Sequence, residues 1–376
     1  MSGLIALRGA VESVQGVNVY QRGIAMNRTA AFGTSASLMT ILMAMGAQTS
    51  HAHPDRDGQI CSLGAAAVGQ MGTVICKNAR TGATTQTVNV GATVVGPGGT
   101  GGTLSRHDGD VLVTNLAGGA VLLKDVRGSL KAPVALDTGG EGSLSGAISD
   151  RGAYVLTGTR LLFFPAGHHR ATSSQPLLIG DGSAAQVALA GGYAYVSEKT
   201  GTLEAFAIAR DGDLDAPGAP VAGVPAGAIV GITGLEDLIV APVAHLASDA
   251  NRATVPVASG HDVVQIVPTK EVAACWAAHH DDEVCITNPG SMTVSCGKFG
   301  PGGFQSYTSA AANPVGETLL DIDLGRDRVG ILGRHNGVPV LISYARDGGD
   351  FLTAMSEVPL GAPVATGVLL LPASSR

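Results

Sequence analysis

GGYAYVSEKTGTLEAFAIARDGDLDAPGA, residues 191–219, is the stretch on which the fold turns. Tyr193 to Ser197 reads as a strand, Glu198-Lys199-Thr200-Gly201 as a tight loop, and Thr202 to Ala209 as a second strand. Asp211-Gly212-Asp213 then turns the chain into a further short strand. Apolar and polar residues alternate between Gly and Asp turns, which is the pattern of short antiparallel strands.

Outward from this stretch the same unit recurs. Its second strand begins near Val111 (VLVTN), Tyr154 (YVLTG), Tyr195 (YVSEK), Leu238 (LIVAP), Val284 (VCITN) and Val329 (VGILG), at intervals of about 41 to 46 residues. That is the period of a four-stranded propeller blade. Short apolar strands precede the markers at Ala147-Ile148, Gln186 to Ala190, Ile229 to Ile232, Ala273 to Ala277 and Thr318 to Ile322. Residues 59–90 supply three more strands, one short of a blade, and Gly367 to Leu371 supplies one strand with no partners of its own. Pairing the two chain ends completes a seventh blade and removes an exposed strand edge. The chain is thus predicted to be an all-β, seven-bladed β-propeller whose ring is closed by its C-terminal strand. No linker interrupts the period, so residues 53–376 read as a single domain.

Composition agrees. Gly is abundant at 54 residues and charged residues are scarce at 14%, which suits short strands and tight turns better than long charged helices. With a net charge of −7 and no basic cluster, the chain has nothing to neutralise a phosphate backbone, so nucleic acid is not an expected partner. No Gly-x-Ser-x-Gly elbow, phosphate-binding loop or zinc-protease helix is present. No cofactor is expected.

Residues 1–52 read as an N-terminal extension with an export signal. Met26-Asn27-Arg28 opens a charged segment, and translation starting at Met26 is the simpler reading beside a longer leader. Leu38 to Ala47 is apolar and is followed by Ser50-His51-Ala52, the form of a secretory signal rather than of a membrane span, which needs ~20 residues. The expected location is periplasmic or extracellular, as a monomer. In such a compartment disulfides persist. Cys61 and Cys76 flank one hairpin, and Cys285 and Cys296 another, so Cys61–Cys76 and Cys285–Cys296 are the expected bridges; Cys275–Cys285, symmetric about the preceding turn, is the alternative. No C-x-x-C pair supports a metal site. Trp276 reads as core between blades.

Particular segments also resemble a known family. VLVTNLAGGAVLL (111–123) resembles the VxVxNxxGGSV motif of lactonase-type seven-bladed propellers, the group that includes the propeller 6-phosphogluconolactonases. YVSEKTGTLEAFAIARDGDL (195–214) looks like that family's strand, Asn/Ser-Glu loop, strand and Asp-Gly turn, and AACWAAHHDDEVCITNPGSMTVS (273–295) is similar to a blade of its exported relatives. The Gly-rich connector GATVVGPGGTGGTL (91–104) is similar to their first inter-blade loop. The resemblance implies a propeller and places Glu198 where the lactonases carry an active-site glutamate.

Loops between second and third strands share a face with the inter-blade connectors, the face on which propeller ligands commonly bind. Asn115, Glu198 and Asn288 occupy equivalent loop positions there, with Lys199 beside Glu198, Arg160 in blade three, and Arg334 and His335 in blade seven. Opening a lactone needs a base to activate water and a donor to hold the oxyanion. Glu198 or His335 could be the base, with Arg334 or Lys199 near the oxyanion. A long blade-five insertion, Ala244 to His261, adds His245 and Arg252 as ligand-binding candidates. His279-His280-Asp281-Asp282-Glu283 and Arg106-His107-Asp108-Gly109 read instead as solvated first-to-second-strand turns. The expected function is a binding or interaction module presenting a small-molecule or protein ligand site at the loop-rich channel mouth. The alternative is a lactone-ring hydrolase, and the sequence leaves catalysis open.

Overall fold

In this computed structural model the described residues are 58–93, 103–116, 118–244, 254–269, 271–300, 303–311, 318–346 and 352–372. They contain no helix; every regular element is a strand. Blade one joins β1 (Gln59–Ala65), β2 (Met71–Asn78) and β3 (Thr84–Thr93). Blade two is β4 (Leu104–His107), β5 (Asp110–Thr114), β6 (Ala120–Val126) and β7 (Ser129–Leu136). Blade three is β8 (Ser143–Ser149), β9 (Gly152–Thr157), β10 (Arg160–Pro165) and β11 (Ser173–Pro176). The opening stretch falls in blade four: β12 (Ala184–Ala190), β13 (Tyr193–Glu198), β14 (Leu203–Ala207) and β15 (Ala219–Pro220).

Blade five is cut into six pieces: β16 (Ala228–Ile229), β17 (Thr233–Leu235), β18 (Leu238–Val240), β19 (Val243–Ala244), β20 (Thr254–Ser259) and β21 (Asp262–Pro268). They still make four levels, because β18 and β19 both pair with β20 as two halves of one broken strand. Pro242, between those halves, has no N–H to give the ladder. Blade six is β22 (Ala277–His280), β23 (Glu283–Asn288), β24 (Thr293–Gly300) and β25 (Gly303–Ala311). Blade seven is β26 (Thr318–Leu324), β27 (Arg328–His335), β28 (Val338–Arg346) and β29 (Leu352–Pro359). The last strand, β30 (Val364–Leu371), pairs antiparallel with β1 and completes blade one in the order β3-β2-β1-β30. The first and last described strands thus build one blade, and β30 closes the ring.

Apolar side chains gather into seven clusters, each bridging two neighbouring blades. In β13, Ala194 and Val196 face blade three while Tyr195 faces blade five. The period of two therefore alternates between two cores rather than between core and solvent, as expected for sheets covered on both faces. Trp276 belongs to the cluster between blades six and seven.

The innermost strands present a free edge whose N–H groups need partners. Side chains from the preceding blade supply several. Ser145 Oγ accepts from Val187 N at 3.1 Å, and Gln186 Oε1 accepts from Ile232 N at 2.8 Å. At the closing seam the acceptors are carboxylates: Asp321 Oδ2 takes Val368 N at 3.2 Å and Asp323 Oδ2 takes Leu370 N at 2.7 Å. Close approach also selects glycine. A Cβ on Gly234 of β17 would lie 1.8 Å from the Leu189 carbonyl oxygen of blade four.

Two cross-strand disulfides clamp single blades. Cys61 and Cys76 are register partners of β1 and β2, and Cys285 and Cys296 of β23 and β24, with Cα–Cα separations of 4.0 and 4.1 Å. Cys275, the third blade-six cysteine, is a free thiol. Burial pushes it up to about 12, so it is not an available thiolate at neutral pH.

Candidate functional site

A cavity of about 1050 Å³ occupies the channel, and all seven innermost strands line it. Its walls come from the later halves of those strands, such as Gly146–Ile148, Gln186–Leu189 and Asp321–Leu324. The cavity therefore lies toward the face made by the first-to-second-strand turns, opposite the connector face. Gly325–Arg328, His107 and His280 stand at its rim.

Two segments read from sequence as solvated turns belong to this wall. β22 begins at Ala277, four residues later than the sequence pattern places it, so His279 and His280 are strand residues. Only Asp281-Asp282 turns the chain, with Asp281 at φ +51°. In blade two, likewise, Arg106 and His107 close β4, and Asp108-Gly109 makes a two-residue turn with φ +42° and +81°. Those angles define a type I′ hairpin turn, which favours Asp-Gly. The solvated-turn reading thus fits the Asp and Gly residues but not the four basic ones, nor Glu283, which opens β23 and pairs with Arg346 in a largely buried ion pair.

The charged groups of the well fall into two sets. Two of its acids are occupied: Asp321 accepts from the N–H of Ile322 and of Val368, and Asp323 from that of Leu324 and of Leu370. Burial raises the Asp321 carboxyl to about 8. It raises that of Asp323 to about 6, against the pull of its amide donors and of nearby Arg106 and His280. Most of the basic side chains have partners of their own, and His280 Nε2 lies 3.7 Å from Asp281 Oδ2. Arg106 Nη1 donates to the Leu370 carbonyl at 3.3 Å, and Arg326 is exposed. Arg328 is 7% exposed, with its Nε 3.4 Å from Asp327. His279 Nδ1 lies 2.9 Å from Thr233 Oγ1, and burial lowers its pKa, with His280 adding to the effect. His107 Nε2 meets Asp150 at 2.8 Å, linking the turns of blades two and three.

On the connector face, the residues singled out from sequence have local partners. Glu198 ends β13 fully buried; its Oε2 accepts from Ser183 Oγ at 2.6 Å, and its Oε1 is buried without a hydrogen bond. Burial lifts its carboxyl to about 7, with Ser183 opposing and Glu204 adding to the rise. Lys199 is exposed beside it and donates its backbone N–H to Ser183. Asn115 Nδ2 donates to Gly118 O at 2.7 Å within its own loop. Asn288, also fully buried, donates from Nδ2 to Thr293 Oγ1 and Ser295 Oγ at 3.0 and 2.8 Å.

Arg160 pairs with Glu141, Nε to Oε1 at 2.8 Å with a second bond through Nη2. That guanidinium, with Thr157 and Thr159, holds the Glu141 carboxyl down at about 2. His335 Nδ1 meets Glu357 Oε1 at 2.6 Å, and Arg334 has a buried Nε without a hydrogen bond. None of these seven residues lines the channel cavity. His245 and Arg252 lie outside the described residues, as does the N-terminal segment 1–52. The channel lining was missed from sequence because the start of an inner strand is set by pairing with its neighbour, not by composition.

A closed seven-bladed ring with a polar well in its channel is the class of protein these features define. Among solved structures the chain is similar to a periplasmic gluconolactonase of Pseudomonas aeruginosa, with TM-score 0.60 and 11% identity over 84% of this chain and 99% of that one. A protein from Lactobacillus plantarum matches with TM-score 0.58 and 13% identity over 84% and 99%. A candidate 6-phosphogluconolactonase from Bacteroides fragilis matches with TM-score 0.55 and 11% identity over 85% and 99%. No protein-family profile and no curated protein matches the chain. At these identities the likeness is one of fold, and it agrees with the lactonase-type propeller resemblance read from the sequence. A fold of this kind hosts many functions, so function is argued from the site.

Proposed function

We propose that this protein is an exported binding propeller that takes a small polar molecule into its channel well. The observation that carries the reading is the well itself: about 1050 Å³, walled by every blade, with polar side chains converging on it. Concave sites with a few convergent polar groups are the usual form of small-molecule sites. The two disulfides support an oxidising compartment. No helix among the described residues is long and apolar enough to cross a membrane. A thermal-shift screen of sugars, organic acids and phosphate esters, followed by histidine modification with diethylpyrocarbonate, tests the reading. Compounds that stabilise the protein are expected to protect His107 and His280 while leaving exposed His168 and His169 reactive. Stabilising compounds that protect neither rim histidine would place the site elsewhere.

A second reading, lactone hydrolysis at the connector face, is favoured by one observation. Burial brings the Glu198 carboxyl to about 7, the range suited to a general base at neutral pH. In that reading Glu198 takes a proton from water as it attacks the lactone carbonyl, Arg334 or Lys199 donates to the developing oxyanion, and Glu198 returns the proton to the ring oxygen as the acyl C–O bond breaks. Ring opening of a lactone panel that disappears in Glu198→Gln would support it; no turnover by the native protein on that panel would end it.

A further inference from the structure

We infer that the channel well is a site for an organic anion, a small molecule carrying a carboxylate or phosphate group, entering from the turn face. The inference rests on the channel reading above and adds the charge of the ligand. It follows from how the charged groups of the well are disposed rather than from their number. A cationic ligand would need acceptors. Two carboxylates of the wall, the buried Asp321 and the half-buried Asp323, turn all four of their oxygens to backbone N–H groups. Two of those bonds, from Val368 N and Leu370 N, hold β26 to the ring-closing strand, and the other two lie within β26 itself. Asp327, at the rim, is mostly exposed and lies 3.4 Å from Arg328 Nε through one oxygen.

What the well offers is donors. Arg106, with its one long bond to a carbonyl, lies near enough to Asp323 to act on its titration, and so does His280 from the opposite wall. Arg106 and His280 line the same cavity, one from blade two and one from blade six. Arg326 projects at the rim from the blade-seven turn, between the two in ring order. The neutral amide of Gln186 has its Oε1 held by Ile232 N at 2.8 Å, and its N–H₂ is a donor group. A guanidinium presents a planar fork of donors that matches carboxylate and phosphate oxygens, and such charge-assisted bonds are stronger than neutral ones.

Size argues for an organic body on the anion. The cavity, at about 1050 Å³, is far larger than a bare inorganic ion needs, and Ala147, Ile148, Val187 and Leu189 give it apolar wall between the polar groups. The chain as a whole carries −7, so a concentration of Arg and His in its channel is local and is not a consequence of a basic surface.

Titration calorimetry with the full chain tests this using ribose 5-phosphate, ribose and citrate as probes. Ribose 5-phosphate is expected to bind at least tenfold tighter than ribose, and citrate to compete with it. Raising the salt from 50 to 500 mM should weaken both anions severalfold. Arg326→Gln, at an exposed position where folding is not at risk, should lower the affinity for ribose 5-phosphate severalfold, and Arg106→Gln should lower it further. Circular dichroism melting of each variant separates lost binding from lost folding. Equal affinity for ribose and its phosphate, or native affinity in both arginine variants, would overturn the anion inference and leave the channel reading standing. Binding of neither anion would overturn the inference too; if His107 and His280 were then protected by no screened compound, the channel reading would fall with it.

Discussion

Asn288 and His280 sit at opposite ends of one hairpin in blade six, and the molecule uses them differently. Asn288, at the connector-face end of β23, is fully buried and donates to two hydroxyls of the next strand. His280, at the turn-face end of β22, keeps a third of its side chain exposed and stands at the rim of the channel well. The same contrast runs around the ring. At the connector face Asn115, Arg160, Glu198 and His335 are each engaged by a neighbour within their own blade or an adjoining loop. At the turn face Arg106, His107, His279, His280 and Arg326 share one cavity. A polar residue in a short propeller loop is therefore informative only with its partners in view, since a hydrogen bond to a nearby loop and a ligand contact need the same residue types.

The contrast can be broken in several places. The largest effect should come from the carboxylates that serve structure at the turn face. Asp321 has a native pKa of about 8 against 3.8 for the free side chain, so its protonated form is the one favoured by folding. Its contribution to stability is full below pH 4 and is lost as pH rises through about 8, by up to about 5 kcal/mol. Asp323 and Glu198 add to the fall at lower pH, up to about 6 and 7 respectively. Above pH 7 the decline belongs to Asp321, and urea unfolding of Asp321→Asn should lack it. A variant that keeps the native slope would show that Asp321 is not the acid holding β26 to the ring-closing strand.

Asn288→Ala comes next. It removes both side-chain hydrogen bonds that the buried amide donates, a loss of about 1–3 kcal/mol in chemical unfolding. Ligand affinity should not move. A loss of binding at unchanged stability would reverse the assignment of the two faces.

Glu141→Gln should have a smaller effect, confined to acid. The Glu141 carboxyl, held at about 2 first by Arg160, contributes stability above its unfolded pKa of 4.5 that is lost as pH falls toward 2. The pair is partly exposed, Arg160 at 41%, so the difference from native should reach only about 1 kcal/mol and vanish near pH 2. Smallest of all should be the change in melting temperature on Arg326→Gln, which removes an exposed side chain and is expected to leave stability within about 0.5 kcal/mol of native.

Much of the architecture is legible in the amino-acid sequence. The recurrence of Val111, Tyr154, Tyr195, Leu238, Val284 and Val329 sets the blade count, and GVLLL at the C-terminus sets the closure. Cysteines placed symmetrically about a hairpin became register partners, because antiparallel pairing fixes which residues face each other. The well was not legible. In blade six the apolar run Ala273 to Ala277 looks like the inner strand, but Cys275 N and O pair outside the regular ladder and the strand begins at Ala277, which moves His279 and His280 onto the channel wall. In blade seven the acidic residues of TLLDIDL look like the solvent side of an alternating strand. They are the acceptors that hold the ring shut, a role set by an edge of β30 lying 47 residues further along the chain. Glu198 shows the same limit: its loop was readable, while its partner Ser183 and its complete burial depend on packing between strands.

The central claim is that ligand is held at the turn face of the channel. Its most direct test is the affinity for ribose 5-phosphate of Arg326→Gln and Glu198→Gln, measured side by side by titration calorimetry. The expected result is a severalfold loss in Arg326→Gln and native affinity in Glu198→Gln. Native affinity in Arg326→Gln with a loss in Glu198→Gln would contradict the account and move the site to the connector face.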